Sequence, residues 1–293
     1  MRYLLLIVSF LMCYNCFSQT ITGKIVDSLT NSPIAYANIV LLNRDHGTYS
    51  NENGVFTIDT KEDDKKLVIS AIGYRNKQLD LEKITSDTLT IALNQKIERL
   101  EEVLITTEKV TYSNSKTLGL NQKLKIRTSL PFGYEFANLI KNPFDKEGKL
   151  ETVTISLNKA NTYDYLASYN IKFYAYDEQT KQPGNLIYHE NLIVTPKNKT
   201  YKLKLDVSEL KIPFPKNGIC IGVEIINIQY DTPIKTMAQM APKINFTHTK
   251  TPALLTWSRY RNKNWKIRTR KSHVKKGHFS NGGININVRI KKE

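Results

Sequence analysis

A period of two in hydrophobicity, arriving in short bursts, is the feature that most limits what this chain can become. At the far end Ile284, Ile286, Val288 and Ile290 alternate with Asn285, Asn287 and Arg289, the pattern of a strand with one buried face. Leu89, Ile91 and Leu93 alternate in the same way with Thr88, Thr90 and Ala92, and Val153 and Ile155 with Thr154 and Ser156. Turn chemistry separates the bursts. Asn31-Ser32-Pro33 presets φ and offers side chains that bond back to the backbone, and Asn53-Gly54 tolerates the positive φ of a tight hairpin. Pro183-Gly184 and Pro213-Phe214-Pro215 read as further turns, and Phe136 to Ile140 as a short helical turn. The fold class that follows is all-β.

The bursts fall into two groups. Ile21–Asp27, Ala37–Leu42, Val55–Ile58, Leu67–Ile72, the strand around Ile91 and Val103–Thr107 predict a seven-strand sandwich of immunoglobulin or prealbumin-like size over residues 19–108. Residues 109–123, rich in Ser, Thr and Asn, read as a linker. Leu150–Leu157, Ile171–Tyr176, Leu186–Val194, Tyr201–Val207, Ile219–Ile228 and the final alternating run predict a second, larger jelly-roll-like β-sandwich over residues 124–293.

Residues 1–18 have the form of a signal peptide. Arg2 precedes an apolar run from Leu4 to Met12 that is too short to span a bilayer, and Cys16-Phe17-Ser18 places cleavage before Gln19. Poor residues before Cys13 and Cys16 argue against a lipid anchor. Cleavage would leave Cys220 as the single cysteine, between Ile219 and Ile221, where it reads as a small buried residue rather than a reactive thiol. No later stretch is long and apolar enough to cross a membrane as a helix. The expected address is therefore beyond the inner membrane: periplasmic, outer-membrane-associated or extracellular.

The formal charge of +16 is unevenly placed. Residues 232–293 hold 15 Lys and Arg against the single acid Glu293, leaving 28 basic and 26 acidic groups in residues 1–231. Within this basic stretch Trp257, Tyr260 and Trp265 are interleaved with Arg261, Arg268, Arg270, Lys271, Lys275 and Lys276. Cations attract phosphate, sulfate or uronate groups, and aromatic faces stack on sugars or bases. These nine residues form the candidate polyanion- or glycan-binding set. The competing reading makes the two tryptophans core residues of a sandwich whose outer face is basic.

The first third carries a resemblance. Gly23-Lys24-Ile25-Val26-Asp27, Pro33-Ile34-Ala35-Tyr36-Ala37-Asn38-Ile39, Gly47-Thr48, Asn51 to Ile58 and Ile69 to Tyr74 occur in the order found in a carboxypeptidase-like regulatory domain, and Leu100-Glu101-Glu102-Val103 resembles the segment that closes it in Bacteroidetes envelope proteins. The resemblance covers residues 20–107. It implies a prealbumin-like accessory sandwich, often placed ahead of the barrel of TonB-dependent transporters. Too few residues follow Thr107 for such a barrel, so the transport role does not carry over.

Enzyme chemistry finds little support in the residues. A zinc carboxypeptidase needs imidazole and carboxylate ligands at fixed spacing. His46, His189, His248, His273 and His278 form no HExxH or HxxE, so neither metal nor cofactor is expected. There is no GxSxG, P-loop or dinucleotide fingerprint. Glu135, Asp145, Asp164 and Asp177 could supply the carboxylate pair of a glycosidase, but at this spacing they read as solvated acids. The function expected is a non-enzymatic envelope protein that pairs a docking or spacer module with a glycan- or polyanion-binding sandwich. Its partners would be an envelope polyanion or glycan and an outer-membrane protein, with no specific nucleic acid. Two alternatives stay open: a glycan hydrolase with a dispersed site, and an accessory subunit of a TonB-dependent outer-membrane transport system.

Overall fold

The computed structural model describes residues 19–84, 88–96, 110–120, 126–128, 131–226, 240–250, 255–269 and 277–292. The expected signal peptide, the segment Leu100–Val103 and the strand at Val103–Thr107 lie outside them, as do Arg270, Lys271, Lys275 and Lys276. The chain divides into two compact units, the first built from described residues up to Lys96 and the second from described residues 110 onward. Both units are built of strands, as the alternation requires.

The first unit holds β1 (Gln19–Asp27), β2 (Asn38–Leu41), β3 (Gly47–Tyr49), β4 (Val55–Thr60), β5 (Lys66–Ser70), β6 (Lys77–Asp80) and β7 (Thr88–Leu93). One sheet has the order β4-β1-β7, with β1 antiparallel to β4 and parallel to β7, and the other has the order β3-β2-β5-β6. Every second residue of β4 (Phe56, Ile58, Thr60) is buried, and the apolar pair packs with Ile25, Ile39, Leu67 and Ile69 in one core. Gly54 adopts φ +74°, and a Cβ there would sit 2.5 Å from the Ile25 carbonyl oxygen, which is why the hairpin before β4 carries glycine. Asp27 closes β1. Its carboxylate accepts the N–H groups of Leu29 and Thr30, the Tyr74 hydroxyl and the Gln95 amide.

The second unit runs through β8 (Lys116–Gly119), β9 (Ile126–Thr128), β10 (Tyr134–Ile140), β11 (Gly148–Asn158), β12 (Tyr165–Leu166), β13 (Ser168–Asp177), β14 (Gln182–Leu186), β15 (Leu192–Val194) and β16 (Tyr201–Asp206). It continues through β17 (Pro213–Phe214), β18 (Ile219–Ile226), β19 (Met240–Ala241), β20 (Lys243–Thr249), β21 (Thr256–Tyr260), β22 (Lys266–Ile267), β23 (Phe279–Gly282) and β24 (Ile284–Ile290). A front sheet follows the order β14-β13-β18-β10-β21-β22, with β15 also on β13. A back sheet follows β23-β20-β11-β24-β8, with β16 and β17 on β11 and β9 on β20. Phe136, Ile171, Phe173 and Ile221 from the front meet Val153, Ile155, Phe246 and Ile286 from the back in a single core. At one edge the two sheets are sewn together through Arg268. Its N–H donates to the Thr256 carbonyl of the front sheet, and its carbonyl accepts the Ser280 N–H of the back sheet.

Four sequence expectations need correction. Phe136 to Ile140 is not a helical turn but part of β10. That strand is buried on both faces from Glu135 onward, so its sequence lacks alternation and mimics a buried helix. Within the segment read as a linker, Lys116–Gly119 forms β8 against β24. Its side chains are largely exposed, so only backbone pairing marks it as a strand. Pro183-Gly184 lies inside β14, an edge strand where a missing N–H is tolerated and the ladder is bulged. Leu186–Val194 is two short strands, both paired to β13, rather than one.

Candidate binding face of the second unit

Strand parity decides which side chains of the front sheet turn away from the core. With Phe136 and Ile140 in the core, Glu135, Ala137 and Leu139 face outward from β10. The register sets Glu135 opposite Glu224 of β18 on one side and opposite Arg259 of β21 on the other. On β18, Gly222 lies between Ala137 and Lys172. A Cβ on Gly222 would sit 2.6 Å from Glu135 Oε1 and 2.8 Å from Tyr174 Cε2. The bare backbone at this position is the floor on which a cluster of charges is packed.

The cluster is an alternation of signs. Lys172 Nζ lies 2.8 Å from Glu224 Oε2 and 3.8 Å from Glu135 Oε2. Arg259 donates from Nε to Glu135 Oε2 at 2.9 Å, and its Nη2 donates to the Tyr174 hydroxyl at 2.8 Å. That hydroxyl in turn donates to Glu135 Oε1 at 2.7 Å. Glu135, Lys172, Tyr174 and Glu224 are all buried. Burial opposes the charged ammonium of Lys172, but Glu135 and Glu224 more than offset it and hold the lysine above its usual pKa. Burial and then the Glu135 carboxylate push the Tyr174 hydroxyl upward. Both oxygens of Glu135 are thus engaged, and each acid is matched by a cation.

The roof of this cluster is Trp265. The Arg259 guanidinium lies 4.0 Å from the centroid of its ring, and the Tyr174 ring meets it edge-on at 5.7 Å. The indole is partly exposed. Ile267, two residues on, is half exposed, and Lys263 and Lys266 are exposed.

The nine candidate binding residues therefore separate. Trp257 and Tyr260 are buried, Trp257 with Leu139 and Cys220 on the outward side of the front sheet and Tyr260 against Tyr134. Arg261 has no exposed surface; its Nε donates to the Tyr260 hydroxyl and its guanidinium lies over Phe132. These three are packing residues and cannot stack on a ligand in this conformation. Arg268 points between the sheets, over the Phe246 ring. Trp265 alone among the described members is placed to meet a ligand on the outer face.

Of the four carboxylates weighed for glycoside hydrolysis, Asp145 and Asp164 are exposed and Asp177 caps the turn after β13 by accepting the N–H groups of Gln179 and Thr180. Only Glu135 is buried, and its neighbour is Glu224, which the sequence reading did not single out. The available signal was a lone acid inside the wholly apolar run Ile219–Ile226, and a lone lysine inside Ile171–Tyr174; charged residues rarely sit in such runs unless paired. Among the described residues no three of His, Cys, Asp or Glu come together in a way that could hold a metal ion.

By its folds, then, the protein belongs to the class of multi-unit β-sandwich proteins. Its first unit is a CarboxypepD_reg-like domain, the family matched by residues 21–105. Over 103 residues the chain is 31% identical to the TonB-dependent receptor SusC of Bacteroides thetaiotaomicron, an alignment spanning 35% of this chain and 10% of the receptor. The chain thus spans about a tenth of the curated relative it matches. Two solved structures are also similar. One is a putative membrane-associated protein of unknown function from Bacteroides fragilis, at 12% identity, 93% and 97% coverage of the two chains and a TM-score of 0.21. The other is a DUF3823 family protein from Bacteroides uniformis, at 9% identity, 92% and 98% coverage and a TM-score of 0.17. Among the described residues no helix is long and apolar enough to cross a membrane.

Proposed function

We propose that this is a non-catalytic protein of the cell envelope, in which the CarboxypepD_reg-like domain is a docking or spacer module and the second unit binds an acidic glycan. The observation that carries the binding assignment is Trp265: a partly exposed indole, braced by Arg259 and Tyr174, on the same face as exposed Ile267 and following exposed Lys263 in the preceding turn. A braced ring loses little freedom when a sugar stacks on it, and Lys263 attracts the acidic groups. The basic excess of residues 232–293 adds long-range attraction. The full ion pairing of Glu135 and Glu224 argues against their use as a glycosidase acid and base.

The test is binding of purified protein to lipopolysaccharide and to an acidic polysaccharide across a salt series. If six or more cations take part, affinity falls by orders of magnitude between about 50 and 200 mM salt. Trp265→Ala should abolish binding at temperatures where the variant is still fully folded, with the melting curve measured alongside because the indole also packs on Arg259 and Tyr174. Wild-type protein that ignores every acidic polysaccharide at low salt would sink the assignment.

The match to a TonB-dependent receptor favours a second reading, in which the first unit serves as an accessory to outer-membrane transport. Deleting residues 19–96 should then abolish co-purification with an outer-membrane receptor while leaving glycan binding by the second unit intact.

A further inference from the structure

The seam that joins the two sheets holds a cation that has no carboxylate partner among the described residues. Arg44, Arg259 and Arg289 each meet a carboxylate, of Asp64, Glu135 and Glu151 in turn. Arg268 does not. Its side chain runs inward between the sheets, with the guanidinium 4.9 Å from the Phe246 centroid, and its Nε is buried without a hydrogen-bond partner. Among the described residues the guanidinium forms no ion pair. Burial pulls its pKa down to about 10, with Tyr134 acting in the opposite direction, so the group remains charged at neutral pH although only part of it reaches water. A half-buried cation whose Nε is sealed off without a partner carries a desolvation cost, and replacement by an apolar side chain would remove it.

The surroundings are polar where a sandwich core is normally apolar. The register continues across the seam from Asn138 to Thr256, then through Arg268 to Ser280. Asn138 and Thr256 are hydrogen-bonded to each other, and the Asn138 amide donates to the Gly282 carbonyl at 2.8 Å. Ser280 and Asn281 are buried. His278, immediately before β23, has a buried Nδ1 that also lacks a partner. The edge strands on either side of the seam thus carry two buried nitrogens without hydrogen bonds.

We propose that Arg268 is the seat of an oxyanion, a carboxylate, sulfate or phosphate group of a ligand that enters between the two sheets at this seam. The planar fork of a guanidinium matches the paired oxygens of all three groups. Phe246 lies against the guanidinium and supports it from within the core. This seat is separate from Trp265: along β22 the two side chains leave on opposite faces of the sheet, so each can act without the other.

The experiment is thermal denaturation of the full chain with sodium sulfate, sodium phosphate or a galacturonate trisaccharide, against chloride at matched ionic strength. A ligand that binds only the folded state raises the melting temperature. At least one of the three should raise it in the wild type, and which one responds tells sulfate ester, phosphate and uronate apart. Arg268→Met should remove that shift and, without anion, melt no lower than wild type. Trp265→Ala should keep the shift, so loss of polysaccharide binding in that variant and loss of the oxyanion effect in Arg268→Met are read separately. Should Arg268→Met fail to fold, phenylglyoxal modification of wild-type protein, mapped by mass spectrometry, decides the matter: the stabilising anion must protect Arg268. No shift with any oxyanion, equal shifts in wild type and Arg268→Met, or modification of Arg268 unaffected by anion would overturn the proposal.

Discussion

Glu135 and Glu224 stand directly opposite each other on neighbouring strands, two acids brought side by side by register and reconciled by Lys172 Nζ, 3.8 Å from one and 2.8 Å from the other. Like charges in that position repel, so the lysine is the member whose loss is felt most. Lys172→Met should lower the unfolding free energy by about 3–5 kcal/mol, because it removes the cation between two buried carboxylates that face each other. The double variant Lys172→Met/Glu224→Gln should recover part of that loss. Urea denaturation of the wild type and the two variants checks it, and a single-variant cost below about 1 kcal/mol, the range of exposed pairs, would contradict the network described.

Gly222 carries a steric prediction. An added methyl would press on Glu135 Oε1 and on the Tyr174 ring, both closer than 3 Å. Gly222→Ala should therefore cost about 1–3 kcal/mol, the usual range for overpacking. Denaturant midpoints at unchanged slope are the measurement, and an unchanged midpoint would show that the cluster has room to shift.

Acid should act on the first unit through Asp27. Donors from Gln95, then the Thr30 and Leu29 N–H groups, hold this carboxyl well below its ordinary value of 3.8. A depressed carboxyl contributes stability in full above the unfolded value and loses it as pH falls toward the lower native one. Stability of the first unit should therefore decline as pH drops below about 4, and Asp27→Asn should flatten that decline while lowering stability at pH 7. Melting curves between pH 7 and pH 2 decide it.

Cys220 has no exposed surface, and burial pushes its thiol up to about 12. The thiolate is the reactive form. Native protein at pH 8 should leave Cys220 unlabelled by a thiol reagent, with full labelling in denaturant, as peptide mass spectrometry can show. Rapid native labelling would mean that the front sheet opens locally.

What could be read from the sequence depended on how many faces of a strand meet water. β24 was legible because Asn285, Asn287 and Arg289 mark its outer side. β10 was not, since Glu135, Ala137 and Leu139 on its second face are also covered, and the alternation disappears. β8 failed for the opposite reason, with little burial on either face. The same logic divides the aromatics. Trp257 and Trp265 look alike in a basic stretch, yet pairing with Ala137 fixes Trp257 in mid-sheet, while Trp265 sits just ahead of the edge strand β22. The charge cluster needed four strands, β10, β13, β18 and β21, in register before its members became neighbours.

The position of β24 has a consequence for how the protein is made. It lies between β11 and β8, so a strand begun at Gly148 and another begun at Lys116 both complete their pairing only with residues 284–290. During synthesis the first unit has all seven of its described strands once Leu93 has emerged, whereas the second must hold its longest strand, β11, without that neighbour through well over a hundred further residues. Contacts so distant along the chain form slowly and leave sheet edges open in the meantime. A nascent chain arrested shortly before Ile284 would thus carry one folded unit and one unfinished unit, and the unfinished one is where chaperones should be found.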